Sequence, residues 1–88
     1  MSEQDLITAY NHAVRHRIEV QRSETCGCFH CLDVFPPSAI KIWIDTGQTA
    51  TCPRCGMDAV IGSASGFEPT SELLEAMRGR WFRESKIA

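Results

Sequence analysis

Two Cys-x-x-Cys pairs, Cys28/Cys31 and Cys52/Cys55, stand 20 residues apart in this chain. Two residues between sulfurs let a single turn aim both at one ion. Backbone amides in that turn can donate to the thiolates and hold their charge. Two such pairs at a gap of about 15–20 are the spacing of a metal quartet. Four thiolates fill a tetrahedral ion and leave no open position for substrate. The chemistry to expect is a metal that holds a fold together, and the expected cofactor is one structural Zn2+. Iron stays open, because ligand softness and tetrahedral geometry suit it equally. Zinc bound in this way contributes on the order of 10–16 kcal/mol of apparent binding free energy. That rivals the whole net stability of a small domain, about 5–15 kcal/mol. Metal loss is therefore expected to unfold at least the central half of the chain.

Five cysteines leave one sulfur over, Cys26, two residues before Cys28. Three readings are open for it: a ligand in place of Cys28, a reactive thiol near the site, or a small, partly buried side chain. His30 lies between two ligands and is expected to point outward, as an accessory group at most. His12 and His16 share a helical face at i,i+4. The run His12-Ala13-Val14-Arg15-His16 lacks the glutamate of the metalloprotease pattern. A solvated polar face is expected for the pair. A thiol redox protein would need one Cys pair at the start of a helix in a larger βαβ sheet. A zinc deaminase would need His-x-Glu and a proline before the second pair, and Thr51 occupies that position. No nucleophile oriented by a base is visible, so the expectation is a protein that is not an enzyme.

The elements that must position the quartet follow from pattern. The chain has 88 residues, with 9 basic and 11 acidic side chains and a net charge of -2. That length suits one domain, residues 1–88, small enough to profit from a metal. The charge balance gives no general attraction to phosphate backbones. No apolar run reaches the ~20 residues of a membrane span. No signal-peptide pattern opens the chain. Two x2-spaced pairs read as metal ligands in a reducing compartment, and the expected location is cytoplasmic.

Leu6, Ile7, Tyr10, Ala13, Val14 and Ile18 recur at helical spacing, which predicts one amphipathic helix over 3–22 with that stripe against the core. Ser2 and Asp5 make a short capping box at its start. The metal core is expected over 26–62. Within it, Pro36-Pro37 and Gly47 frame a short helix over 38–45, although Ile40, Ile42 and Ile44 also alternate like a strand. Thr49-Ala50-Thr51 and Ala59-Val60-Ile61 are expected to pair as a hairpin with the metal at its tip. Thr70 caps a last helix over 70–83 that buries Leu73, Leu74, Met77 and Trp81. The fold class is α+β: a small zinc-ribbon-like β-hairpin core flanked by N- and C-terminal helices.

Residues 49–56 resemble the second knuckle of zinc ribbons, and Cys52-Pro53-Arg54-Cys55-Gly56 looks like a rubredoxin-type knuckle. The first pair departs from that pattern, with Leu32 where a glycine is expected. Residues 26–83, about two thirds of the chain, resemble a group of small, uncharacterised bacterial cytoplasmic proteins. The resemblance rests on Cys26-Gly27-Cys28-Phe29, Trp43-Ile44-Asp45 with Gly47, Thr49-Ala50, Cys52 through Gly62, and Trp81-Phe82. It implies a zinc-ribbon-like centre flanked by helices and implies no activity.

Three functions follow. The first is a protein-interaction or regulatory module, with Arg54, Trp43, Trp81 and Phe82 as a candidate partner surface. The second is nucleic-acid binding through Arg15, Arg17, Arg22 and Arg54, joined by Arg78, Arg80, Arg83 and Lys86 if the helix ends converge. The third is an iron-dependent electron carrier or thiol redox protein. The amphipathic first helix also suits a homodimer.

Overall fold

Ser2 and Asp5 open the first helix reciprocally. The Ser2 hydroxyl accepts from the Asp5 amide at 3.1 Å, and the Asp5 carboxylate accepts from the Ser2 amide at 3.2 Å. The computed structural model describes residues 2–82. Its first helix, α1, runs only over Glu3–Asn11. A second, α2, covers Arg17–Arg22, so the expected single helix over 3–22 is two. The break has a tertiary cause. Between the helices, Arg15 takes a left-handed backbone (φ 48) and gives its amide to the Thr49 hydroxyl at 2.8 Å. The His16 ring turns inward, and its Nε2 accepts from the Ala50 amide at 3.1 Å. No proline or glycine marks this break, because groups more than 30 residues away make it.

Five short strands follow: β1 (Cys26–Cys28), β2 (Val34–Phe35), β3 (Trp43–Ile44), β4 (Thr49–Ala50) and β5 (Val60–Gly62). They form one antiparallel sheet in the order β2-β1-β5 and a separate antiparallel pair, β3-β4. Cys26 faces Phe35 on one side and Gly62 on the other. The expected pairing of 49–51 with 59–61 is therefore replaced. The arm entering the second Cys pair belongs to β3-β4, and the arm leaving it belongs to β1-β5. The expected helix over 38–45 is also corrected. Pro37 starts a single 3-10 turn, Pro37–Ala39, and the chain then extends into β3. The isoleucine alternation is the truer signal for extended chain, but it marks no single buried face: Ile40 enters the core, and Ile42 and Ile44 are exposed.

The last helix, α3, spans Ser71–Trp81, with the Thr70 hydroxyl accepting from the Leu73 amide. Arg83 and Lys86 lie outside the described residues. Leu73, Leu74 and Met77 are buried as expected. Trp81 is half-buried and stacks on Tyr10 at 4.2 Å, which joins α3 to α1. α3 lies close over β1: a Cβ added at Gly27 would sit 2.9 Å from Leu74 Cδ1 and from Pro69 Cβ. Ala9, Val20, Phe29, Ile61 and Leu74 make the middle of the core. The fold is α+β, with helices flanking small antiparallel sheets. Among the described residues no helix is long and apolar enough to cross a membrane.

Candidate metal centre

Each Cys-x-x-Cys turn is built by the same backbone hydrogen bonds. In the first, the His30 amide donates to Cys28 Sγ at 3.3 Å, the Leu32 amide to the Cys28 carbonyl at 2.8 Å, and the Cys28 amide to the Asp33 carbonyl at 3.0 Å. In the second, the Arg54 amide donates to Cys52 Sγ at 3.3 Å, the Gly56 amide to the Cys52 carbonyl at 2.9 Å, and the Cys52 amide to the Met57 carbonyl at 2.9 Å. The residue after each second cysteine must be left-handed to close such a turn. Gly56 does this at φ 82, and Leu32 does it at φ 68 without glycine's freedom. The departure from the rubredoxin-type pattern is thus one of residue type and leaves the backbone path intact.

The two turns face each other across the sulfurs. Cys28 and Cys55 Sγ are 3.7 Å apart, as are Cys31 and Cys52 Sγ, and all four lie within 4.8 Å of one another. Four sulfurs about 2.3 Å from one central ion would have edges of about 3.8 Å. The cluster therefore has the dimensions of a metal site, consistent with a zinc-knuckle-like centre. A four-sulfur tetrahedron serves zinc and iron alike. Cys28 and Cys52 are buried, and Cys31 and Cys55 are exposed.

The surroundings treat the sulfurs differently. Burial pushes the Cys28 thiol up, against the His30 and Cys31 amides and with the neighbouring sulfurs. At Cys52, burial also pushes upward, but the amides of Cys55 and Arg54 together with the Cys31 and Cys55 sulfurs outweigh it and hold the thiol below its ordinary value. Burial raises the exposed-edge Cys31 as well.

Cys26 is buried within β1, outside the four-sulfur cluster, and its thiol is pushed up to about 11 by burial alone. His30 reaches from the first turn to the second, with Nδ1 3.6 Å from Cys55 Sγ. Its ring sits edge-on to Phe82 at 4.8 Å. Arg54 is largely exposed at the second turn, and its Nε lies 3.6 Å from Asp33 beside the first. Besides the sulfurs themselves, these two side-chain contacts span the gap among the described residues.

The candidate aromatic surface is dispersed. Trp81 and Phe82 pack around Phe29, with ring centroids at 6.4 and 5.8 Å. Trp43 lies elsewhere, under the Arg17 guanidinium at 4.6 Å. The His12/His16 pair is not the solvated face expected. His16 is buried, its Nδ1 donates to the His12 carbonyl at 2.6 Å, and both ring nitrogens are thereby used. Burial lowers its pKa. His12 Nδ1 instead meets both Glu19 carboxylate oxygens, at 2.9 and 3.0 Å. The i,i+4 spacing was the only sequence signal at His16, and it pointed to the wrong face.

Comparison with known protein families, curated proteins and solved structures finds no match to this chain.

Proposed function

We propose that this chain is a non-catalytic protein-interaction module whose four clustered cysteines hold one structural zinc. The observation that carries the reading is where apolar surface remains. Trp81, Phe82 and Trp43 are drawn partly into packing; Val34, Ile42 and Ile44 are exposed on strands or beside them, whereas Val14 and Ile18, 50% and 69% exposed, line one concavity at the broken helix. A small fold that packs its tryptophans against its own side chains yet leaves aliphatics exposed beside one another offers those aliphatics to a partner. The metal cluster supports a structural role, since four sulfurs within 4.8 Å complete a tetrahedron without a water position. Cys26, buried and poorly ionised, supports a packing role over a redox one.

Nucleic-acid binding is the weaker reading, because two of its arginines are occupied. Arg80 pairs with Glu3 at 2.7 Å, and Arg54 lies beside Asp33. The test is affinity capture on zinc-loaded protein from source-cell extract, with and without nuclease. One stoichiometric protein partner, retained after nuclease, is the expected result. Nucleic acid as the sole captured species overturns the reading.

A further inference from the structure

The break between α1 and α2 creates a concavity of about 450 Å3 against the side of α2. Val14 and Ile18, both exposed, supply most of its apolar surface beside the small Ala64. Arg15, Arg17 and Arg22 also line it. The one carboxylate lining it, Glu19, is engaged by His12 through both oxygens. Three guanidinium-bearing residues against one occupied carboxylate reverse the sign of a chain whose net charge is -2. Arg17 is held in place, with its guanidinium over Trp43 and Nη1 donating to the Gly47 carbonyl at 2.6 Å. Among the described residues, neither Arg15 nor Arg22 has a carboxylate at ion-pair distance.

Resting on the interaction-module reading, we propose that this concavity seats a short protein segment carrying acidic side chains around an apolar one. Charge selects the flanking residues, because Arg15 and Arg22 offer bidentate donors to carboxylates while Arg17 adds its positive charge nearby. The aliphatic surface selects the residue between them: Val14 and Ile18 leave water only against another apolar group. A phosphate backbone would satisfy the arginines and leave both aliphatics exposed.

Selection from a random-peptide phage library on zinc-loaded protein tests this, followed by amide shift mapping with the enriched peptide made synthetically. Enriched sequences should place Asp or Glu beside Leu, Ile, Val or Phe. Shift changes should centre on residues 14–22. Ile18→Asp and Arg22→Glu, both at exposed positions, should each weaken the peptide at least tenfold while keeping zinc and the melting temperature. Peptides without acidic residues, or shifts centred elsewhere, overturn the assignment of this site yet leave the module reading standing. So does a captured stoichiometric partner that Ile18→Asp still binds. Self-association mapping to residues 14–22, or a single-stranded oligonucleotide binding there more tightly than the peptide, overturns the acidic segment as occupant. Failure of the extract to yield any protein partner defeats the module reading itself.

Discussion

The two Cys-x-x-Cys turns share a backbone and differ in what stands behind them. The first is the tip of a hairpin: β1 and β2 pair directly, and β5 flanks β1 on the other side. Its Phe29 is buried, and its Leu32 packs on the core. The second turn closes no hairpin. Its incoming arm is β4, paired with β3, and its outgoing arm joins β5. Arg54, Cys55 and Gly56 at its crest are exposed. The first turn is thus fastened by packing, and the second connects two sheets that share no ladder. A metal between them therefore does more for the second turn than for the first. The contacts that span the gap without it, His30 to Cys55 and Arg54 to Asp33, are long and near the surface.

Removing the metal should break the comparison most severely. Chelation, or Cys52→Ser, should cost several kcal/mol, given the order of magnitude of zinc binding to such sites. Hydrogen exchange should open residues 52–58 before β1. Cys26→Ser should retain the metal. Uniform exchange across both turns after chelation would remove the distinction between them.

Packing behind the first turn is tested by Gly27→Ala. Its new methyl would press on Leu74 and Pro69 at 2.9 Å, and calorimetry should report a loss of about 1–3 kcal/mol.

The second turn's incoming arm is held by His16 through the Ala50 amide. His16→Phe leaves that buried donor unmet and should cost about 1–3 kcal/mol. The same ring carries a pH signature. Burial sets its folded pKa below the ordinary value near 6.5, with the hydrogen bond to the His12 carbonyl and the Glu19 charge opposing and the His12 ring charge assisting. Between those two values the unfolded chain binds more protons. Its stability contribution should be full above about 6.5 and fall as pH drops through that window. Subtracting the pH profile of His16→Gln isolates this from acid release of metal; parallel profiles would refute it.

Gly56→Ala should cost about 1 kcal/mol, through its left-handed backbone alone, since nothing lies within 4 Å of the added Cβ. Leu32→Gly should change stability least, within about 1 kcal/mol. Relief of the left-handed backbone offsets lost packing and glycine's freedom when unfolded. A large loss there would mean that Leu32 is held chiefly by its side chain.

Much of the site could be read from spacing, because a Cys-x-x-Cys turn is a local object whose geometry its own amides enforce. The caps at Ser2 and Thr70 were readable for the same reason. The helix break at 12–16 was not, since His16 and Arg15 are captured by Ala50 and Thr49 from far along the chain. Strand partners were misjudged where the nearest segments in sequence, 49–51 and 59–61, went to different sheets. The stripe containing Val14 and Ile18 shows the same limit: periodicity finds an apolar face, and only the tertiary fold decides whether water keeps it.

Native mass spectrometry of protein purified without chelators, beside Cys52→Ser and Cys26→Ser, tests the four-sulfur centre most directly. The account predicts one zinc per chain in the native and Cys26→Ser proteins and none in Cys52→Ser. A metal-free native chain that still melts sharply, or zinc retained by Cys52→Ser, would contradict it.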